Sequence, residues 1–482
     1  MFPKLPVVAF LLVPALLAAQ DPPDMQKVLE RLDRLEQENR SLINEVRALR
    51  QELEASRTIT GSAAQGSAVP AGTGTAQDAS SSATAAQSTA SSTPAVQPEA
   101  PVAERVTVLE RRMDEQAQTK VEASQKFPVT LTGMVLFNAF LNGKANNAQE
   151  DPTTASLTSG TNVAGANLAQ SVIGFLYQGP RVLGGGQVNG SLYMDLSGGT
   201  ASSLGHTLRL RTATLEIDWK TRSIVVGQDK PIISPREPNS LAQVAVSPLT
   251  SAGNPWLWEP QARFEQRVSL GSLFGGSAAG LRADIGVYET SEPTASAAQY
   301  ASTLSTARPA LEGRFEFWEQ FREGSRIEIA PGFHTSDTHV AGVSAPSRLF
   351  SVDWLIQPVP KLQLTGMFFT GENAAGIGAL RQGFTIFGEN VVSVATAGGW
   401  AQLSYLATKR LSFNAYAGQE SNAPRDLLSG EIARNFMYAG NAIYRLGPNV
   451  LLGAEISQVR TTFVGNTLRL NNHYDLALGY LF

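Results

Sequence analysis

A chain of 482 residues with a formal net charge of −4 has room for more than one structural unit and makes no electrostatic case for nucleic acid. It contains no cysteine, which excludes disulfides, thiolate metal sites and a lipidated N-terminal cysteine, and its four histidines supply a metal site poorly. Charged residues make up 17%, below the ~25% usual in soluble domains, a deficit that fits a protein whose outer face meets lipid.

Residues 1–19 read as a cleaved secretory signal. Lys4 gives the positive start, Leu5 to Leu17 the apolar run, and Ala18-Ala19 the small-residue cleavage site. A membrane anchor fits less well, because the run is short and Pro6 and Pro14 interrupt it. Residues 20–56 carry a heptad pattern. Met25, Leu32, Asn39, Val46 and Leu53 fall at one seam position, and Val28, Leu35, Leu42 and Leu49 at the other. Arg31 with Glu36 and Glu45 with Arg50 have the spacing of interchain salt bridges, so an α-helical coiled coil is expected, with dimer and trimer both open. Residues 57–101, rich in Ser, Thr, Ala, Gly and Gln, read as a disordered, flexible linker. Residues 102–126 resume a brief heptad through Val102, Val106, Leu109 and Met113, then turn polar at Gln116 and Lys120. A short helix is expected there.

From residue 127 to 482 the texture changes to segments of about 10 residues that alternate apolar and polar, the signature of a transmembrane β-barrel. About 16 antiparallel strands are expected, an even number as such barrels require. Short connections such as Lys220–Arg222, Pro358–Lys361 and Leu446–Asn449 contrast with long ones at Asn142–Gln170, Asp229–Glu259, Glu289–Pro309, Thr335–Pro346, Thr370–Asn390 and Gln419–Gly430. Turns at one rim and loops at the other are how outer-membrane barrels are built. The last strand is the clearest. Tyr474, Leu476, Leu478, Tyr480 and Phe482 occupy every second position, facing lipid, while Asp475, Ala477 and Gly479 face inward. A terminal Phe482 closing this pattern resembles the signal by which barrel assembly machinery recognises such strands.

The stretch from Leu208 to Val268 carries the candidate functional residues. Leu208, Leu210, Thr212 and Thr214 alternate with Arg209, Arg211, Ala213 and Leu215, and a second strand follows at Ser223–Gln228. After the long segment Asp229–Glu259, Arg263, Glu265 and Arg267 alternate with Ala262, Phe264, Gln266 and Val268. Arginines on one strand face need water or partners, and loops this long are usually functional or disordered. A wet barrel interior narrowed by an inward loop meets both demands. The expected pore-lining set is Arg209, Arg211, Lys230, Arg236, Glu237, Arg263, Glu265 and Arg267, with Glu216, Asp218, Asp229 and Glu259 as further acids. The same charges would equally serve to pair with one another and anchor the loop. Trp256 and Trp258 are expected at the lipid interface or a subunit contact.

These motifs resemble the trimeric 16-stranded porins, and more narrowly the DcaP-like porins with a periplasmic N-terminal coiled coil. The likeness rests on Leu208-Arg209-Leu210-Arg211, on Val226-Gly227-Gln228-Asp229, and on Gly253-Asn254-Pro255-Trp256-Leu257-Trp258 leading to Pro260-Gln261-Ala262-Arg263. It implies an outer-membrane homotrimer that passes small, often anionic solutes passively, with the loop after the fifth strand folded into the lumen. No cofactor and no metal are implied. An enzyme reading has one foothold, His334 and Ser336 on one strand face, but no orienting polar residue stands out near Arg348. The reading from a different class is structural, a barrel that anchors the coiled coil and spaces the envelope.

Overall fold

The computed structural model describes residues 128–482 apart from 200–205, 290–303, 307–308, 341 and 466. The signal (1–19), coiled coil (20–56), linker (57–101) and short helix (102–126) expected from the sequence lie outside the described residues.

Backbone polar groups in a sheet must all be paired, and a sheet rolled until its first and last strands meet has no edge left over. That is the solution here. Among the described residues eighteen strand segments form one sheet; two of them continue a wall strand across a break, which leaves a wall of 16 strands. In chain order they are β1 (Val129–Asn142), β2 (Val163–Asn167 and Val172–Val182), β3 (Gly186–Asp195), β4 (Arg209–Trp219), β5 (Arg222–Asp229), β6 (Glu259–Ser269), β7 (Ala278–Tyr288) and β8 (Leu304–Thr306 and Ala310–Arg322). The second half comprises β9 (Ser325–Val340), β10 (Val343–Val359), β11 (Leu362–Glu372), β12 (Ala395–Leu406), β13 (Leu411–Asn422), β14 (Ile432–Arg445), β15 (Val450–Phe463) and β16 (Thr467–Leu481). Each pairs antiparallel with the next, and β1 closes on β16 in a register running from Met134 opposite Leu481 to Asn142 opposite His473.

The polarity of the wall is inverted relative to a soluble protein. Leu476 on β16 is 64% exposed and Ile456 on β15 is 62% exposed, while Asp475 is 3% and Glu455 4%. So continuous an apolar exterior would be an aggregation surface in water and is at home only in lipid. Tyr405, Phe413, Tyr444, Tyr480 and Phe482 are exposed near the turn ends of β12, β13, β14 and β16, where an interfacial aromatic girdle belongs. No helix among the described residues is long and apolar enough to cross a membrane.

Two expected loops are shorter than the sequence suggested. The segment Thr335–Pro346 is not a loop; β9 and β10 run through it, with Val340 paired to Val343. Pro346 is tolerated because β11 joins the ladder only from Arg348 onward, so at Pro346 one edge of β10 carries no partner strand to receive a missing N–H. Likewise β13 extends to Asn422 before a short 3₁₀ turn at Pro424–Asp426.

Candidate functional site

The two strands richest in inward charge are built differently. On β6 the alternation runs unbroken, with Phe264 and Val268 each 44% exposed and Arg263, Glu265 and Arg267 on the opposite face. On β4 it does not. Met194 pairs with Leu210 and Tyr193 with Thr212, so Arg211 is an extra residue, a β-bulge. The phase of the strand shifts there. Leu210 and Leu215 both face out, and the expected single face of Leu208, Leu210, Thr212 and Thr214 is broken. Arg209 stands directly opposite Asp195 in the ladder, and the bulged Arg211 reaches the same carboxylate.

Asp195 ends β3 and is wholly buried. Arg209 reaches it through Nε at 3.1 Å and Nη2 at 2.6 Å, and Arg211 through Nη1 at 3.3 Å. Both guanidinium groups also donate to backbone carbonyls of the 230–258 segment, Arg209 to Ala245 at 2.6 Å and Arg211 to Val244 at 2.7 Å. Trp258 lies against them, its ring centre 5.3 Å from the Arg209 and 4.6 Å from the Arg211 guanidinium carbon. Trp256 meets Trp258 edge-on at 5.1 Å. Trp258 is 9% exposed, so its expected place at the lipid interface is corrected. Cation–π contact with two arginines draws it to the root of β6, at about 0.5–2 kcal/mol per contact.

Between β5 and β6 the chain touches wall after wall. Ile232 N–H donates to Glu312 on β8, Asn239 N–H to Gln402 on β12, and Ser240 Oγ to Glu455 on β15, at 2.6–2.7 Å. Asn441 on β14 donates to Asn239 O, and Asn138 on β1 to Leu241 O, both at 2.8 Å. Gln170, in the break of β2, donates to Ala242 O at 2.7 Å and accepts from Val244 at 2.6 Å. Side chains in the same segment, Ile233 and Leu249, are fully buried against Met367, Phe369, Trp400, Tyr416 and Met437. Backbone approaches backbone at Gly418, where a Cβ would lie 2.2 Å from Ala252 O, and at Gly253 (φ 96°), where it would lie 2.4 Å from Gly399 O. Only glycine fits both places.

Every cation expected from the sequence has an acid beside it. Arg236 is bound by Glu328 on β9 and Asp353 on β10, with Glu316 on β8 at 3.7 Å. Lys230 meets Glu237 at 2.9 Å and Arg263 meets Asp229 at 2.9 Å. Arg267 is bound by Asp218 and lies 3.1 Å from Glu265. Burial pushes the Glu237 carboxyl up, but Lys230, a hydrogen bond from Ser247 and the charge of Arg211 outweigh it and hold it below its usual value. In the β1–β2 connection Asp151 goes the other way: burial, then repulsion from Asp475, Glu150 and Glu455, raise it well above the usual carboxylate value.

Sequence reasoning missed Asp195, Arg282, Arg314, Glu316, Glu328 and Asp353. Part of the signal was present, since Glu312, Arg314 and Glu316 alternate with Leu311, Phe315 and Phe317. It also missed an acid for His334. Glu312, across the β8–β9 ladder, lies 2.8 Å from His334 Nδ1, and Ser336 Oγ lies 3.4 Å from Nε2. The order Ser–His–Glu is that of a catalytic triad. These three side chains are 7%, 3% and 0% exposed, and the other oxygen of Glu312 holds Ile232 N–H. The chain thus ties the start of the long segment to the wall.

The long segment has a cavity on each side. One of about 490 Å³ is lined by Glu237, Asn239 and Gln243 together with Pro360 and Lys361 of the β10–β11 turn. The other, about 440 Å³, is lined by Val246, Ser251 and Trp256 with Glu150, Asp151 and Arg381 from the long loops. Among the described residues no group of three or more His, Asp or Glu side chains is arranged to hold a metal.

No family model matches the sequence, and no curated protein matches it. Among solved structures, the outer membrane channel DcaP of Acinetobacter baumannii superposes with a TM-score of 0.60 at 16% identity, over 73% of this chain and 97% of that one. The chain has the porin fold. An anion-selective porin from Comamonas acidovorans is also similar, at a TM-score of 0.49 and 11% identity, over 73% of this chain and 99% of that one. The porin fold and the apolar exterior together make this a barrel of the bacterial outer membrane.

Proposed function

We propose that the protein is an outer-membrane porin that lets small hydrophilic solutes diffuse passively, with a lean toward anions, through a lumen narrowed by the 230–258 segment. It acts as a homotrimer, with residues 20–56 as a periplasmic coiled coil and the strand ending in Phe482 read by the barrel assembly machinery. The observation that carries the reading is the pair of cavities, about 490 and 440 Å³, on the two sides of a segment hydrogen-bonded around the inner wall. A barrel serving only as an anchor has no use for such an arrangement.

The anion lean follows from which partner of each ion pair meets water. The Arg209 side chain is 30% exposed and its Asp195 partner 0%. Arg236 is 18% exposed, against 2–8% for Glu316, Glu328 and Asp353. These pairs are dipoles with the positive end toward the lumen, where low-dielectric walls amplify the field. The Lys230–Glu237, Arg263–Asp229 and Arg267–Asp218 pairs are nearly level in exposure and add little to the sign.

Proteoliposomes holding the purified full chain should swell in isotonic solutions of small sugars, at rates that fall steeply with solute size. Correctly folded barrels that give no swelling would return the protein to the anchor reading.

A further inference from the structure

A third cavity, about 880 Å³, lies outside the wall, a groove on the lipid face of β12 to β16. Its floor is Ala415, Gly440, Ala442 and Ala454, and Leu403 and Tyr474 rise at its two flanks. The ladders set Leu403, Ala415, Gly440, Ile456 and Tyr474 in one continuous row, large at both ends and small on β13 and β14. Backbone packing does not impose the smallness. A Cβ on Gly440 would meet nothing nearer than Asn414 O at 3.9 Å, so this space stands open where a larger side chain would fit.

Toward the long-loop rim the same outward face turns polar and then positive. Tyr438 and Gln458 come one outward step above Gly440 and Ile456, followed by Arg460 on β15 and Arg434 on β14. Arg460 Nε donates to Gln458 at 2.6 Å, and its guanidinium carbon lies 5.5 Å from the centre of the Tyr438 ring. Arg434 stands opposite Thr462 and so diagonal to Arg460, at the ~7–8 Å usual for such neighbours. Both arginines are exposed, and among the described residues neither has an acid in ion-pair reach. Their depth follows from β14. Arg434 lies ten residues from Tyr444 of the aromatic girdle, about 34 Å of strand, which a tilt of ~40° reduces to ~26 Å across the membrane, the height of the apolar band. The unpaired cations therefore stand at headgroup level and the groove lies below them among the acyl chains. An acyl chain gains little by leaving lipid for an apolar wall, so a fitted groove and a matching charge are what select one lipid. We propose that this face binds a phosphorylated, acylated lipid of the outer leaflet, with phosphate on Arg434 and Arg460 and one acyl chain in the groove over Gly440. A second copy of the chain would also cover small residues, but unpaired cations gathered only at the headgroup end are the layout of a lipid.

The experiment is native mass spectrometry of the full chain in detergent, titrated with diphosphorylated lipid A or with phosphatidylcholine, reading bound lipid and oligomer mass together. Lipid A should stay bound at markedly lower concentration than phosphatidylcholine, and inorganic pyrophosphate should not displace it. Arg434→Gln combined with Arg460→Gln should raise half-saturation by lipid A roughly tenfold. Gly440→Phe, which fills the groove and leaves both arginines in place, should also weaken lipid A binding severalfold. The two lipids binding alike to the unmutated protein, a comparison that needs no variant, would overturn the proposal. Displacement by pyrophosphate would overturn it too, reducing the site to a simple anion site. A Gly440→Phe protein that binds lipid A unchanged would likewise overturn it, and loss of the oligomer in that variant would give the face to a second copy.

Discussion

The inner wall grips the 230–258 segment in two ways, and the two sides of the barrel differ accordingly. Toward β4 and β8–β10 the partners are ionic: Arg209, Arg211 and Asp195 on one strand pair, and Glu316, Glu328 and Asp353 around Arg236 on the other. Toward β12–β15 and β1 they are the amides Gln402, Asn441 and Asn138 and one carboxylate, Glu455, which is only 4% exposed and is capped by Ser240, Tyr416 and Asn441, with no guanidinium among them. Amides hold a loop without setting up a field, whereas ion pairs do both. The ionic side therefore both fastens the segment and sets the sign of the lumen, and the amide side only fastens it.

Mutations on the two sides should separate those roles. The largest effect is expected from Arg236→Ala, which leaves Glu316, Glu328 and Asp353 crowded and short of a cation. Removing one partner of a buried ionic cluster costs about 3–5 kcal/mol, so denaturant unfolding should move to clearly lower concentration and channel conductance should rise as the segment detaches. Next comes the bulge on β4. Replacing Arg209 and Arg211 together with Ala should shift selectivity toward cations, whereas Asp195→Asn should shift it toward anions by uncovering the same guanidinium groups; reversal potentials read both. If the two variants move it in the same direction, the exposed-cation account of the lean fails. On the amide side, Gln402→Ala or Asn441→Ala should cost about 1 kcal/mol and leave the reversal potential where it was.

The smallest effect is a pH response, with opposite signs in two connections. Asp151 is held above its usual value, so its neutral form is the one the fold favours. The β1–β2 connection should stay tight at low pH and loosen as pH climbs from the ordinary carboxylate range through the raised value. Glu237 is held below its usual value, so its contribution is present above the ordinary range and is lost as pH falls through the lowered one. Amide hydrogen exchange followed against pH should show protection falling upward in residues 143–161 and downward in 230–258.

The strand pattern of this barrel was legible because lipid enforces it. On β6 and β16 most outward positions are apolar, as Phe264 and Val268 or Tyr474, Leu476, Leu478 and Tyr480 are, and the inward ones need not be, so alternation survives in the letters. Two features broke that code. The bulge at Arg211 adds a residue without changing the composition of β4, and no pattern of single letters registers a shift of phase. Pro346 reads as a strand breaker, yet it sits where β10 has an unpartnered edge. At the candidate site the cations were visible and their partners mostly were not. Asp195 lies 14 and 16 residues from Arg209 and Arg211 and meets them across the β3–β4 ladder, while Glu328 and Asp353 lie 92 and 117 residues from Arg236 and meet it only because the 230–258 segment folds into the barrel. Arg282 was hidden for another reason: only the β6–β7 register places it opposite Arg267.

The most direct test of the whole account is the reversal potential of the purified, unmutated protein in a planar bilayer under a potassium chloride gradient. Stepwise conductance with a potential of the anion-favouring sign is the expected result. A potential of the cation-favouring sign, from channels that conduct in the same steps, would contradict the claim that the buried carboxylates behind Arg209, Arg211 and Arg236 leave the lumen positive.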